Sequence, residues 1–233
     1  MAQSIDIDWN GVALILDSDR AAFAPDTRDL LLADVHFGKA AAFRAGACPV
    51  PEAVTDADLG RLTSLLNRYA PARVIILGDL LHAREAHNPA TLGALRAWRQ
   101  VHAVSILLIR GNHDVRAGDP PADLAIDCVD PPFTLGAIDL DHHPPTNPAR
   151  PTIAGHVHPG VTLHARVGHA MRARCFRFGA RVAILPAFGA FTGTDSIRAR
   201  TTDRIFALDD SSIIEVGNMP EIRTRSTRAP ASR

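Results

Sequence analysis

Lysine is almost absent from this 233-residue sequence: Lys39 is its single lysine, and arginine supplies the other cations. Basic and acidic residues number 25 each, so the formal net charge is zero when histidine is neutral. A chain without net charge has no global field that would draw it to nucleic acid or to an anionic membrane. Any binding to such a polyanion must therefore depend on a local cluster of charges.

Cysteine is scarce too, with three residues that lie far apart in the sequence. There is neither a Cys-x-x-Cys pair, which would indicate a zinc site, nor an even, closely spaced set, which would indicate disulfides. We expect free thiols in a reducing compartment. The amino-terminal residues lack the apolar segment of a secretory signal, and no apolar run approaches the roughly 18–20 residues of a membrane span. The resulting expectation is a cytoplasmic location without a membrane partner.

The composition is otherwise that of an ordinary globular chain, with 46% hydrophobic and 21% charged residues. A length of 233 residues suits one domain with a substantial core. Residues 219–233 are rich in Arg, Thr, Ser and Pro, and we predict that they form a disordered tail. We therefore expect a single domain over residues 1–218.

The first half of the chain alternates between apolar runs and helical patterns. Residues 11–16 and 21–24 are predicted to form short strands, and residues 29–33, 73–77 and 103–109 to form buried ones. Apolar residues recur at near-helical spacing in 51–69 and around 92–101, between the buried strands. Helical crossovers of this length predict that the three buried strands lie parallel in one sheet.

From about residue 123 the pattern changes to short strands separated by prolines and glycines, without convincing helices. The predicted strands are 137–140, 152–154, 161–167, 172–178, 181–185, 204–208 and 212–216. We expect these strands to form a second sheet that packs on the first, with helices outside. The predicted fold class is therefore α/β, a layered sandwich.

Metal-capable side chains follow many of the predicted strands, at the point where each strand ends. They are Asp34, His36, Asp79, Asn112, His113, Asp114, His142 or His143, His156 and His158. Open α/β sheets place their sites at such strand ends. Carboxylate, imidazole and amide donors suit divalent manganese, iron or zinc, whereas the absence of thiolate argues against a structural zinc. In an extended Asp-x-His or His-x-His segment both donors share one face.

Each of these motifs has a simpler explanation when taken alone, since Gly-Asp or Asp-x-His after a strand is often only a turn. Four motifs in this order, each after an apolar run, are instead typical of a shared site. The donors are too many for one ion and suit two ions that share a carboxylate. Two ions roughly 3.5–4 Å apart favour displacement at phosphorus. The sequence therefore predicts metal-assisted hydrolysis of a phosphoester.

A resemblance to a known family depends on motifs in a fixed order. They are Asp34-x-His36, Gly78-Asp79, Gly111-Asn112-His113-Asp114, a histidine near 142, and Gly155-His156-x-His158. This series resembles that of the calcineurin-like metallophosphoesterases. Within that family, segments 32–44, 49–51, 77–83 and 186–189 are similar to the bacterial DNA-ligase-associated members. The resemblance implies a four-layer sandwich of two mixed β-sheets flanked by helices.

The resemblance also implies two divalent ions, with manganese favoured and iron or zinc as alternatives. The implied ligands are Asp34, His36 and His158 for one ion, Asn112, His142 and His156 for the other, and Asp79 as the bridge. His143 remains the alternative to His142, although the family pattern of histidine, any residue, proline favours His142.

Five residues near these motifs are candidates for other roles. His113 would donate a proton to the leaving oxygen or contact the phosphate, because imidazole is the usual proton donor near neutral pH. Asp114 would orient His113, with a plain turn residue as the alternative. Lys39, Arg44 and His82 would contact the substrate, with a solvated helix charge or an ordinary loop histidine as the alternatives.

The expected function is that of a metal-dependent phosphodiesterase or nuclease that acts on nucleic acid. The resemblance implies a role in DNA repair beside a DNA ligase and a helicase. One alternative is a small-molecule phosphoesterase for nucleotides or a lipid pyrophosphate, since the neutral charge does not demand a polymer substrate. Another alternative is a non-catalytic scaffold of a repair complex with a vestigial metal site, although a scaffold has no need of His113.

Overall fold

The computed structural model describes residues 4–45, 53–164, 170–197, 199–209 and 211–216. Two mixed β-sheets of seven and nine strands pack around a shared apolar core. The predicted α/β sandwich of two mixed sheets is confirmed. The predicted tail, 219–233, lies outside the described residues, so the domain boundary at 218 stays a prediction.

The first sheet follows the order of the chain. Its strands are β1 (Ser4–Trp9), β2 (Val12–Asp17), β3 (Ala21–Ala24), β4 (Asp29–Ala33), β5 (Arg73–Leu77), β6 (Ser105–Ile109) and β7 (Ile126–Val129). Neighbours from β1 to β4 pair antiparallel, whereas neighbours from β4 to β7 pair parallel. The parallel arrangement predicted for β4, β5 and β6 is confirmed by their pairing. Their apolar residues are buried on both faces of the sheet, as expected for parallel strands.

Four helices lie in the first half of the chain. They are α1 (Lys39–Ala45), α2 (Ala53–Tyr69), α3 (Pro89–Val101) and α4 (Asn112–Ala117), with 3₁₀ turns at Arg84–His87 and Ala122–Leu124. Helices α2 and α3 are the crossovers, and their leucines pack with β4, β5 and β6 in a second apolar cluster. The Asn88 side chain accepts a hydrogen bond from the Thr91 amide at 2.9 Å and thereby caps α3. Within the described ranges, no helix is long and apolar enough to cross a membrane.

The second sheet is built from the later, shorter strands. They are β8 (Phe133–Leu135), β9 (Ile138–Asp141), β10 (Thr152–Ala154), β11 (Pro159–His164), β12 (Ala170–Phe178), β13 (Val182–Ile184), β14 (Asp195–Ser196), β15 (Arg204–Leu208) and β16 (Ile213–Val216). A small cluster around Val161 and Cys175 lies on this sheet and contains no helix residue among those described. Among the described residues, helices thus cover the first sheet only, and the later sequence lacks helical periodicity.

Aromatic side chains fill the space between the two sheets. Trp9 of β1 meets Phe178 of β12 edge to face, with ring centroids 5.7 Å apart. The indole nitrogen of Trp9 donates to the carbonyl of Gly179 at 2.8 Å, so its one polar atom is satisfied. Phe176 and Phe206 are fully buried beside this pair. Burial of each such ring stabilises the fold by roughly 1.5–3 kcal/mol.

Parallel pairing brings the strand ends of both sheets to one edge. In the first sheet β4, β5 and β6 end there together. In the second sheet β9, β10 and β13 are parallel, so they also end together. The loop after β13 joins the two edges, since the Phe188 amide donates to the carbonyl of Ala33 at 2.8 Å. Residues that follow these strands therefore converge at one place.

Several elements lie outside the predicted ones. Strands β1, β7 and β8 and helices α1 and α4 were not expected from the apolar pattern. Helices α1 and α4 have seven and six residues, which is too short for helical periodicity to be visible. Helices of this length are marginal alone and form because tertiary contacts hold them.

Candidate metal centre

The Asp-x-His and His-x-His segments adopt a conformation that was not expected. Both were predicted to be extended, and this is wrong: φ is 55° at Asp34 and His36, 68° at His156 and 49° at His158. Asp79 also has a left-handed φ, of 57°. Such residues cost about 1–3 kcal/mol each and persist where their surroundings determine them. Left-handed turns, rather than a shared strand face, bring these donors together.

Backbone hydrogen bonds between neighbouring strand ends hold these turns. The Asp34 amide donates to the carbonyl of Gly78 at 3.2 Å, and the His36 amide donates to the carbonyl of Asp79 at 2.8 Å. The Asp34 carboxylate in turn accepts from the His156 amide at 3.0 and 2.8 Å. The loops after β4, β5 and β10 are thus bonded to one another through main-chain groups.

One set of donors consists of Asp34, His36 and His158. The Nε2 atoms of His36 and His158 are 3.4 Å apart, and Nε2 of His158 is 3.6 Å from Oδ1 of Asp34. All three ligand atoms lie within 4.8 Å of one another. Two imidazoles and a carboxylate at this spacing can bind a single divalent ion.

A second set consists of Asn112, His142 and His156. Nε2 of His142 is 3.0 Å from Oδ1 of Asn112 and 3.1 Å from Nδ1 of His156. His142 is fully buried, whereas the other two side chains are accessible from the surface. Asn112 and His156 thus both contact Nε2 of His142, and the three donors come from both sheets.

The Asp79 carboxylate lies between the two sets. Its Oδ2 is 3.7 Å from Nε2 of His36, and its Oδ1 is 3.4 Å from Nε2 of His142. Asp79 is buried, so water does not solvate its carboxylate. A buried carboxylate that faces one imidazole of each set has the position that a bridging ligand between two cations requires.

The electrostatics of the site favour neutral imidazoles. Burial, followed by the cationic forms of His158, Lys39, His113 and His82, lowers the pKa of His36 to about 2. Burial also lowers the pKa of His156, with His143 and His142 as further causes. A neutral imidazole keeps the lone pair that a metal needs. The donor set therefore fits divalent cations, whose charge would offset the two buried carboxylates.

The adjacent pair His142 and His143 is distinguished by its surroundings. Nδ1 of His142 donates to the carbonyl of Leu77 at 3.0 Å, which leaves the Nε2 lone pair directed towards Asp79 and Asn112. The ring of His143 is exposed and packs on His156 at a centroid distance of 4.1 Å. Ring nitrogens of His142, His143 and His156 all lie within 4.8 Å of one another, so distance alone does not separate the two histidines. Burial and the contacts with Asp79 and Asn112 favour His142 as the ligand, in line with the sequence pattern.

A pair of matched variants tests this choice. We expect His142→Ala to lower metal content and kcat by roughly a hundredfold or more, the upper range for losing a group that tunes a metal site. His143→Ala should retain both within about tenfold, because its ring is exposed. Metal content by elemental analysis and turnover of a chromogenic phosphodiester provide the measurements. The opposite pattern in the two variants would make His143 the ligand.

Gly78 allows the close approach of His142. A Cβ atom on Gly78 would lie 2.1 Å from Nδ1 of His142, and the φ of this glycine is 76°. Gly111 has a similar role, since a Cβ there would lie 2.3 Å from Oδ1 of Asp79. The Gly-Asp and Gly-Asn-His-Asp motifs thus need glycine because the metal donors pack directly on the backbone.

His113 lies beside the two sets of donors. Its amide donates to Oδ1 of Asp79 at 2.9 Å, and its ring meets His36 edge to face at 4.9 Å. Nδ1 of His113 is 2.5 Å from the carbonyl of His82, which can only accept, so Nδ1 carries a hydrogen. The position of His113 thereby depends on main-chain contacts, and its Nε2 has no partner among the described residues.

His82 packs on two other histidines, and the expected contact with substrate stays a prediction. Its ring stacks on His113 with centroids 4.7 Å apart, and its Nδ1 is 3.2 Å from Nδ1 of His36. Burial, followed by nearby Lys39 and His113, lowers the pKa of His82 to about 4. The structure therefore places His82 where it orients His36, whose Nε2 faces the other donors.

Asp114 does not orient His113, and that expectation is wrong. Its carboxylate accepts from four backbone amides, those of Asp79, Leu80, Leu81 and Gly111, at 2.6 to 3.2 Å. Burial raises the pKa of Asp114, and the bonds from these amides oppose the increase. Asp114 thus fixes the loop after β5 to the start of α4 and positions Asp79 rather than the His113 ring.

The two remaining predicted substrate contacts lie on α1. Lys39 begins this helix and is half-buried, and burial lowers its pKa while the charge of Asp79 opposes the decrease. Its ammonium is close enough to His36 and His82 to lower the pKa of both. The side chain of Arg44 lies outside what the structure describes. Lys39 is therefore a cation at the edge of the site.

The loop after β13 belongs to the site although no donor motif marks it. The Gly189 amide donates to the carbonyl of Asp34 at 3.2 Å. Asp58 and Arg61 of α2 hold this loop: the Asp58 carboxylate accepts from the Ala190 amide at 2.9 Å, and Arg61 donates to the carbonyl of Phe188 at 2.9 Å. The only sequence signal was the 186–189 segment, which contributed to the family resemblance.

A nuclease of known structure shares this fold. The chain is similar to the crystal structure of Pseudomonas putida nuclease MPE, with 42% identity and a TM-score of 0.78 over 88% of this chain and 96% of that one. It is also similar to the phosphoesterase YfcE of E. coli, at 17% identity and a TM-score of 0.41 over 82% and 99% of the two chains, which is too low to support an argument. A scan of family models and a search of curated proteins gave no match.

Proposed function

The chain belongs to the calcineurin-like metallophosphoesterases and is a phosphoric ester hydrolase, and from this premise we propose that it is a phosphodiesterase that cleaves nucleic acid. The Pseudomonas putida relative is a nuclease by name, which supports a nucleic-acid substrate. Two divalent ions are the proposed cofactors, held by the seven residues in and between the two donor sets.

One observation carries the proposal: the Asp79 carboxylate lies between His36 and His142, at 3.7 and 3.4 Å. A carboxylate shared by two sets of imidazole and oxygen donors is suited to a pair of divalent ions. Such a pair supplies a nucleophile near neutral pH and stabilises charge on the attacking and leaving oxygens of an in-line displacement.

The remaining steps fall to side chains of this chain. A nucleoside alkoxide is a poor leaving group and needs a proton, and His113 lies beside the donor sets with an Nε2 atom that has no partner among the described residues. Because the Nδ1 hydrogen is donated to the His82 carbonyl, the transferable proton is the one on Nε2 of the imidazolium form, and its transfer leaves a neutral ring. We propose that the Lys39 ammonium, whose charge interacts with that of Asp79, attracts the phosphate, and that the buried donors keep the geometry fixed.

Manganese is the proposed metal, with iron or zinc as alternatives, since nitrogen and oxygen donors occur here without thiolate. We expect chelation to lower the melting temperature and Mn²⁺ to restore it. Saturation at a hundred times Kd adds about 2.7 kcal/mol, which corresponds to about 5–10 °C for a domain of this size. Differential scanning fluorimetry with and without EDTA measures the shift; an unchanged transition together with no bound metal would contradict the site.

DNA repair is the proposed setting, with a DNA ligase and a helicase as partners and the cytoplasm as the location. The similarity of segments 32–44 and 77–83 to the ligase-associated members of the family supports this part of the proposal. Gel filtration of the chain mixed with the DNA ligase from the same genome tests it. A shared elution peak is expected, and separate elution at micromolar concentrations would oppose the partnership.

The activity is tested with a panel of substrates. We expect the Mn²⁺-loaded chain to cleave a chromogenic phosphodiester and single- or double-stranded DNA faster than a phosphomonoester. A preference for the monoester would favour the small-molecule phosphoesterase. No turnover with any of Mn²⁺, Fe²⁺ or Zn²⁺ would favour the scaffold. DNA has an alkoxide leaving group that needs a proton, so loss of DNA cleavage in His113→Ala would attribute the activity to this site rather than to a contaminant.

A further inference from the structure

A cleft of about 460 Å³ opens beside the metal centre. Its lining residues are His82, Ala83, Arg84, Glu85, His113 and Arg116. None of the seven proposed metal ligands lines it, yet the two histidines contact those ligands directly. The cleft therefore adjoins the centre through these two histidines and lies outside the donor sets.

The wall nearest to the metal centre is the stacked pair His82 and His113. This pair is held by main-chain contacts, so the wall is fixed in place. His113 is the proposed proton donor for the leaving oxygen. A substrate whose scissile phosphate is at the donor sets thus has its leaving group on the side of this cleft.

Two arginines supply the charge of the cleft. Arg84 lies in the 3₁₀ turn after β5 and Arg116 in the last turn of α4, and both are exposed. Nε of Arg84 donates to the carbonyl of Arg116 at 3.2 Å, which joins the two elements. Within the described part of the chain, the Arg116 guanidinium and the Nη atoms of Arg84 make no hydrogen bond or ion pair. Glu85 is the single acid in the lining, so the cations outnumber it.

We propose that this cleft binds the backbone phosphate next to the scissile one, on the leaving-group side of a nucleic-acid strand. Guanidinium groups bind phosphate through paired N–H donors, and these two have donors to spare. A cleft of this volume has room for a nucleotide. A chain of zero net charge can attract a polyanion only through a local cluster of positive charge, and these two arginines form one.

This inference rests on the proposed function and makes a separate prediction about selectivity. A polynucleotide has a phosphate for the cleft, whereas a small chromogenic diester has none. The double variant R84Q/R116Q is therefore expected to lose about ten- to a hundredfold of kcat/KM for a single-stranded oligonucleotide relative to the chromogenic diester. Its salt dependence should also become shallower, by roughly 0.7 in the log–log slope for each phosphate that the variant no longer neutralises.

The matched control is the double variant R28Q/R181Q. Each of these arginines is exposed and donates to a main-chain carbonyl, as Arg84 does. Arg28 precedes β4 and Arg181 precedes β13, so both lie at the edge opposite the metal centre. The control removes the same charge and should leave the selectivity ratio within about twofold of the parent.

One readout is kcat/KM for both substrates. The other is binding of a labelled oligonucleotide by fluorescence anisotropy, with metal removed by a chelator so that the oligonucleotide is not cleaved. A lower selectivity ratio and weaker binding in R84Q/R116Q alone support the cleft. Equal loss in both double variants would reduce the effect to net charge and overturn the inference, as would an unchanged ratio. A parent that cleaves the chromogenic diester but no polynucleotide would overturn both the inference and the nucleic-acid part of the proposed function. A parent that cleaves no phosphodiester would instead refute the proposed function.

Discussion

Asp79→Asn is expected to lower kcat by roughly a thousandfold, a loss of about 4 kcal/mol of transition-state stabilisation. The reason is its position: one oxygen faces His36 and the other faces His142, and both sets of donors depend on it. The amide keeps the shape and can still accept from the His113 amide, but it lacks the charge that holds two cations together. Turnover of a chromogenic phosphodiester and metal content by elemental analysis measure the effect.

The stability of the same variant separates loss of metal from loss of fold. Without metal, Asp79 is a buried carboxylate beside His36, an imidazole whose pKa burial lowers, so its replacement by a neutral amide should not lower the melting temperature. With Mn²⁺ the parent should gain stability and the variant should not. Asp127→Asn is the control, because this exposed aspartate lies on β7 and makes no contact with the site. A fully active Asp79→Asn protein with bound metal would rule out the bridging role.

His113→Ala should reduce kcat by about a hundred- to ten-thousandfold for substrates with an alkoxide leaving group. For p-nitrophenyl esters the loss should be much smaller, because p-nitrophenolate leaves without a proton. Metal content should stay unchanged, since His113 contributes no ligand to either set. The measurement is kcat for two diesters that differ in the basicity of the leaving group.

Equal losses for both leaving groups would assign His113 a different role. In that case the imidazole would contact the phosphate itself, which is the alternative that the sequence left open. A large loss of metal in His113→Ala would contradict both roles and make the residue a ligand. His113→Asn provides a second variant that retains polarity and volume in the stack with His82.

The buried strands were predictable because a strand that is covered on both faces must have an apolar sequence. β4 and β5 are apolar at nearly every position, as parallel strands covered on both faces must be. Their ends were predictable too, since a glycine or an acid interrupts the apolar run. Short helices such as α4 were not predictable, because six residues are too few to show helical periodicity. Such a helix forms only through contacts with the rest of the chain.

The role of Asp114 shows why some contacts escape prediction from sequence. A neighbour in sequence, His113, was the natural partner to expect. The carboxylate instead accepts from the amides of Asp79, Leu80 and Leu81, which are 33 to 35 positions away. Nothing in the local sequence distinguishes these amides, because every residue other than proline offers one.

The sequence by itself determined which donors this protein has and that each follows the end of a buried strand, and this sufficed for the family and the class of chemistry. Only the tertiary structure decided how the donors meet. It showed left-handed turns in place of extended segments, and it favoured His142 over His143. The physical reason is distance along the chain: Asp34 and His156 are 122 positions apart, so strand pairing sets their separation, not local propensity.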